Sequence, residues 1–256
     1  RYHPLRNEYA VEMRIDSLRP AHFLPHDSLY RLTAVLHAEG RGTDFLSPAT
    51  RITLRGSVAD IQYGSYRLSG LIFDASLRDH HAQATLQTHS PQIQGMATID
   101  GIVSRNRMGG TLIVDVDTLD LQALKLTEEP LSGSFQLFSE VETDLKRRHK
   151  LDLTLGNWAV TTAQQTFRPK MLTLRAVSDD DTTRLSFHAG DMSLLATGNM
   201  DAPTILQRLG NVADAFRGLM ARDSAAHIER LTPLLPTIDL QVEAAQDNPL
   251  YNYLQE

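Results

Sequence analysis

The sequence predicts a mainly β protein: a long antiparallel β-meander with an α-helical insertion near its C-terminal end. Three observations carry this. Apolar and polar residues alternate along most of the first 200 residues, short turn-like segments separate the alternating runs, and the alternation gives way to helical spacing after Asp201.

The alternating runs come first. RITLRGSV (51–58) supplies Ile52, Leu54 and Val58, and LIFDASL (71–77) supplies Leu71, Phe73, Ala75 and Leu77. QIQGMATI (92–99) gives Ile93, Ala97 and Ile99, and TLIVDVD (111–117) gives Leu112, Val114 and Val116. LDLTL (151–155) gives Leu151, Leu153 and Leu155, and RLSFHA (184–189) gives Leu185, Phe187 and Ala189. Successive side chains on a strand point to opposite faces, so each run has one apolar and one polar face. Turn-like segments follow at HAEGRG (37–42), RNRMGG (105–110), SDDDT (178–182) and Asp247–Pro249. Short connections favour antiparallel neighbours, and the spacing suits a long meander, a sandwich or a barrel.

Past Asp201 the apolar positions Ile205, Leu209, Val212, Phe216, Leu219 and Met220 fall three or four apart. Asp201 is placed to cap the helix, with Pro203 in its first turn. Pro233 and Pro236 end the helical stretch, and TIDLQVEA (237–244) resumes alternation. The expected organisation is a β segment over 1–200, a helical insertion over 201–236, and renewed sheet with the start of a further element over 237–256. The amphipathic stretch 203–222 reads as a helix packing on the sheet rather than one lying on a membrane surface.

Composition bounds the function. The chain has 256 residues, 41% apolar, with a net charge of -6, which argues against a nucleic-acid partner. With no cysteine there is no disulfide, thiolate metal site or Cys nucleophile. No apolar run reaches the roughly 18 residues of a membrane-spanning helix. A first residue of Arg and the absence of a signal peptide suggest a segment of a longer polypeptide.

Motifs for chemistry are missing. His22 and His26 flank Pro25, and His80–His81 sits in a turn-like RDHHA, so these read as solvated histidines rather than metal ligands. The acidic run Asp179–Asp181 and the basic run Lys146–Lys150 both read as charged hairpin tips. No nucleophile elbow, phosphate-binding loop, dinucleotide fingerprint or zinc-protease motif occurs. The expectation is no catalytic residue, no metal and no cofactor.

Five stretches, read in order, carry a family resemblance: GRGTDFLSPAT (40–50), YGSYRLSGLIFDASL (63–77), VDTLDLQALKLTEEPL (116–131), FHAGDMSL (187–194) and LLPTIDLQVEAAQDNPLYNYL (234–254). Together they resemble the Bacteroidetes-type members of the TamB (translocation and assembly module) and AsmA-like family, across nearly the whole chain. Most of the weight lies on the G-x-D-x-L-S-P run from Gly42 to Pro48, followed by the late L-P…D-N-P-L segment. The resemblance implies a long curved half-pipe, a β-groove with an apolar inner surface, in an inner-membrane-anchored protein that crosses the periplasm. It implies lipid transport and outer-membrane biogenesis as the function, phospholipid as the cargo, and an outer-membrane barrel assembly protein as a partner through regions outside this segment. The alternative it carries is a scaffold or chaperone for outer-membrane protein translocation and assembly. No catalytic residue transfers, because the family has none. The sixteen Ile, Leu, Val and Phe positions from Ile52 to Phe187 named in the runs above, all but the alanines, are the groove candidates.

Overall fold

The computed structural model describes residues 2–3, 7–19, 29–63, 66–208, 210 and 237–247. His22, His26, Leu209, the stretch 211–236 and Asn248–Glu256 lie outside the described residues, and with them most of the expected helical insertion.

The fold is mainly β and antiparallel. The chain divides into two units: unit 1 is 1–140 with 154–171, and unit 2 is 141–153 with 172–256. In unit 1 the strands are β1 (Tyr2–His3), β2 (Glu8–Leu18), β3 (Leu29–Arg41), β4 (Arg51–Tyr63), β5 (Tyr66–Arg78), β6 (His81–Ser90), β7 (Ile93–Val103) and β8 (Met108–Asp120). Most of β9 (Leu131–Thr143), the second half of β10 (His149–Thr162) and the short β11 (Thr166–Phe167) complete it. Each strand hydrogen-bonds to the one before it, and the path is open: β1 and β11 do not pair. Unit 2 takes the ends of β9 and β10, then β12 (Leu172–Ser178), β13 (Thr183–Ala189), β14 (Met192–Gly198) and β15 (Ile238–Glu243), again in chain order. Among the described residues neither unit closes into a barrel.

Nor do the described residues form a sandwich core. The buried apolar residues among those described are Val116, Ala159, Ala189 and Ile205, fewer than the buried polar ones. A two-layer protein hides one face of each sheet. Here large apolar side chains stay open to solvent, with Ile99 49% and Leu86 45% exposed.

Two of the turn readings shift. HAEGRG lies largely in β3, which runs to Arg41; the chain reverses in the loop 42–50 instead. Alternation across Leu36, Ala38 and Gly40 outweighs the turn preference of the two glycines. The 105–110 turn is shorter, since β8 starts at Met108. The G-x-D-x-L-S-P run is a self-capped loop. Gly42 adopts φ 79°, the left-handed region that a Cβ disfavours, and donates its N–H to Asn7 O at 2.9 Å. Asp44 then accepts the Leu46 N–H at 3.0 Å and the Arg105 guanidinium at 2.7 Å, while its carbonyl takes the hydroxyl of buried Thr50 at 2.6 Å. Hydrogen bonds to Arg105 and Leu46 hold the Asp44 carboxyl below its ordinary range.

Candidate functional site

Residues opposite each other in adjacent strands share a face, so the register says which side chains meet. One row across unit 1 reads Val11, Ala38, Leu54, Ala75, Ala84, Ile99 and Leu112. The next reads Met13, Leu36, Gly56, Phe73, Leu86, Ala97 and Val114. A third runs Ile15, Ala34, Val58, Leu71, Thr88, Gly95 and Val116. Thr88 is the single polar side chain in these three rows, and its hydroxyl is turned onto Ile93 O at 3.1 Å. The opposite face is mainly polar, with Val35, Ile72 and Met96 interspersed in one row: Arg55 pairs with Asp74 at 2.7 Å, and Asp100 with His81 at 2.9 Å and Gln83 at 2.7 Å.

Three irregularities keep this face apolar over long strands. On β2, Asp16 and Ser17 together oppose Thr33, and Ser17 takes φ 51°. On β4, Ala59 is extra against β3, and beside it on β5 Gly70 takes φ 64°. On β8, Asp117 is extra against β7. One added residue inverts the alternation of everything beyond it. The sequence slips phase at the same points: Ile15 to Leu18, Val58 to Ile61, Leu68 to Leu71 and Val116 to Leu119 are all three apart. Leu18, Leu32 and Ile61 therefore stay on the apolar side, and Leu68 and Leu119 with them.

Aromatic rings and glycines shape the surface. A Cβ at Gly56 would lie 2.5 Å from the Phe73 ring, so that ring lies across the neighbouring strand where a side chain is missing. Gly101 and Gly110 oppose each other, and a Cβ on either would strike a carbonyl oxygen of the adjacent strand, Gly109 O or Asp100 O. The backbones of β7 and β8 come together there on the apolar side more closely than any other residue permits.

Of the groove candidates, Ile52, Leu54, Val58, Leu71, Phe73, Leu77, Ile93, Ile99, Leu112, Val114 and Val116 fall on this one face of unit 1. Leu155 lies on β10 in the part that belongs to unit 1. Leu185 and Phe187 lie on the apolar face of unit 2, opposite Ala176 and Leu174 on β12 and Ala196 and Leu194 on β14. Leu151 and Leu153 belong there also, since Asp152 between them pairs with Arg175 at 3.3 Å on the polar side. The alternation did not reveal the residues of β2 and β3, or the alanines and glycines between the large side chains. The three-residue spacings at the bulges were the signal that could have found the first group.

Other features singled out in the sequence resolve into local structure. His80 Nδ1 contacts Val103 O at 3.1 Å and His81 faces Asp100. Among the described residues no three His, Asp or Glu side chains gather where a metal could be held. Asp179 folds its own hairpin tip, accepting the N–H groups of Asp181 and Thr182 at 3.1 and 2.9 Å. Asp144 does the same for Lys146, Arg147 and Arg148 at 2.9 to 3.0 Å. The two tips face each other across Arg148 and Asp180 at 3.9 Å, which pairs the basic run with the acidic one. In unit 2, Asp201 caps the helical turns 202–208 by accepting the Thr204 N–H at 2.8 Å. Ile205, 8% exposed, sits where a Cβ of Gly198 would point, at the end of the apolar face. No helix among the described residues is long and apolar enough to cross a membrane.

No protein-family model, curated protein or solved structure gave a match to the chain.

Proposed function

We propose that this chain is a segment of a non-enzymatic, inner-membrane-anchored envelope protein that crosses the periplasm, and that its apolar sheet face binds and conducts phospholipid acyl chains between the inner and outer membranes. The observation that supports this reading is the set of apolar rows from β2 to β8, broken only by Thr88 and left partly exposed over seven strands. A monomer rarely leaves so large an apolar surface open unless something binds to it. A methylene taken fully out of water gains about 0.8 kcal/mol, and one laid on an open face gains part of that, so a long acyl chain accumulates useful affinity with no specific contacts. An open sheet also leaves a headgroup in water, avoiding the cost of burying its charge. The resemblance to TamB and AsmA-like proteins supports the location, the cargo and an outer-membrane barrel assembly partner.

Neighbouring residues on one strand provide the test. A photoreactive amino acid at Ile99, on the apolar face, should capture phospholipid from cells expressing the chain; the same group at Thr98, on the polar face, should not. Equal capture at both positions, or none at Ile99, would overturn the reading. Capture of outer-membrane protein strands at the edge strand β15, with no lipid at Ile99, would establish the scaffold alternative instead.

A further inference from the structure

The polar face of unit 1 carries a depression of about 790 Å³ whose lining departs from the charged ladders around it. Three of its walls are large apolar residues that no strand alternation requires there: Ile113 is 47%, Phe138 43% and Met171 59% exposed. The fourth is Trp158, the one tryptophan of the chain. Its indole is fixed on two sides. The Nε1–H donates to Lys170 O at 3.0 Å, and Phe167 packs edge-on with ring centroids 6.3 Å apart.

The polar wall is a chain of planar side chains. Gln136 Nε2 donates to Asp115 Oδ2 at 3.1 Å, and Asn157 Nδ2 donates to Gln136 Oε1 at 2.5 Å. Gln136 is held by two bonds and Asn157 by one, and each amide keeps further donor or acceptor capacity. Asn157 takes φ 48°, in the left-handed region. Unbroken alternation would send Asn157 and Trp158 to opposite faces; with the left-handed backbone at Asn157, its amide instead reaches Gln136, and Trp158 borders the same depression. Held donors and acceptors beside a held aromatic ring are the features of a preorganised site.

We propose that this depression is a binding site for a neutral saccharide of one or two pyranose rings. The apolar C–H face of a sugar ring stacks on an indole, and its hydroxyls both donate and accept, as the Asp115–Gln136–Asn157 row does. The row spans three neighbouring strands, about 10 Å at the usual strand separation, the length of two linked rings. The volume falls in the roughly 300–1,000 Å³ range of small-molecule sites. Asp115 and Arg168 line the depression with opposite charges, so it carries no net charge that would favour an ionic ligand. The site is independent of the lipid reading, because it lies on the opposite face of the sheet.

A single tryptophan makes the test direct. The full chain is titrated with N,N′-diacetylchitobiose, cellobiose and maltose while Trp158 emission is recorded. At least one sugar should shift the emission saturably. Asn157→Gly, which keeps the left-handed backbone and removes the amide, should weaken that sugar about five- to tenfold with an unchanged Tm. Ile99→Gln, on the apolar face, should leave sugar binding intact. The proposal is overturned if none of the three sugars moves the emission up to tens of millimolar. It is equally overturned if a proline-rich peptide moves the emission where the sugars do not, or if Asn157→Gly binds as tightly as the parent.

Discussion

Unit 1 and unit 2 apply one strand chemistry at two lengths. From β2 to β8 the strands of unit 1 run 10 to 13 residues; β12, β13 and β14 of unit 2 have seven each. The short strands pair in register from end to end. Three of the six pairings between the long strands β2 to β8 carry a bulge, and the hydrophobic pattern slips phase where it occurs. A bulge bends the strand and increases its local twist, and it inverts the alternation beyond it. A long strand therefore keeps one apolar face only if sequence and backbone change phase together. The units also differ at their rims. Unit 2 docks helical turns by hydrogen bonds, Ala202 N–H to Ser178 Oγ at 2.8 Å and Thr183 Oγ1–H to Met200 O at 2.9 Å, and buries Ile205 against Gly198. The β2–β8 apolar face of unit 1 has no such cover among the described residues.

The largest expected effect separates the units by glycine. Gly110→Ala in unit 1 drives a Cβ into backbone, which cannot yield locally, and should cost about 3 kcal/mol in chemical denaturation. Gly198→Ala in unit 2 meets only the flexible tip of Ile205, and about 1 kcal/mol is expected. Gly156→Ala, with nothing within 4 Å, serves as the neutral control. Equal losses at Gly110 and Gly156 would break the claim that β7 and β8 approach unusually closely.

A smaller effect tests the bulge on β4. Asp60, 9% exposed, lies just beyond Ala59, where Arg67 donates to its Oδ1 at 2.7 Å. Arg31 stands 3.1 Å from Oδ2, an ion pair whose angle is too poor for a hydrogen bond. Asp60→Ala removes the carboxylate from two guanidiniums that remain largely solvated and should cost about 1 kcal/mol, with loss of amide protection centred on β3–β5. Uniform loss of protection across unit 1 would show that the bulge is not a local clamp.

The smallest effect is the pH response. In unit 2, backbone N–H groups hold the carboxyls of Asp144, Asp179 and Asp201 below their ordinary range; the largest contributions come from Lys146, Asp181 and Thr204 respectively. A carboxyl with a lowered folded pKa stabilises the fold above its unfolded pKa, and that stability disappears as pH falls through the folded value. In unit 1, side chains lower Asp44, through Arg105, and Asp100, through Gln83 and then His81. Acidification below the ordinary carboxylate range should loosen the unit 2 loops 144–148 and 179–182, with little response to salt. The Asp44–Arg105 contact should also weaken in salt at neutral pH, since exposed ion pairs are screened. Amide exchange at Arg148 and Thr182, followed against pH and salt, reads the difference.

Much of this was legible in the residues. Alternation from Ile52 to Phe187 named the strands and put the large apolar side chains on one face of each, because the side-chain period on a strand is fixed at two. The break at Asp201 was equally plain, since an N-cap aspartate followed by apolar residues three or four apart is a local signal. Local chemistry also explains the charged tips: Asp144 and Asp179 fold their own turns with N–H groups two to four residues away. What the sequence left open was which apolar faces join. Only the register could do that, because it depends on residues in other strands and on single-residue bulges at Ser17, Ala59 and Asp117. The choice between a sandwich, a barrel and an open meander was also left to the tertiary structure. All three use the same alternation, and they differ only in whether a second layer or a closing strand covers the apolar side. The depression beside Trp158 was invisible for the same reason: its walls come from three strands and a loop, brought together by pairing that no local pattern encodes.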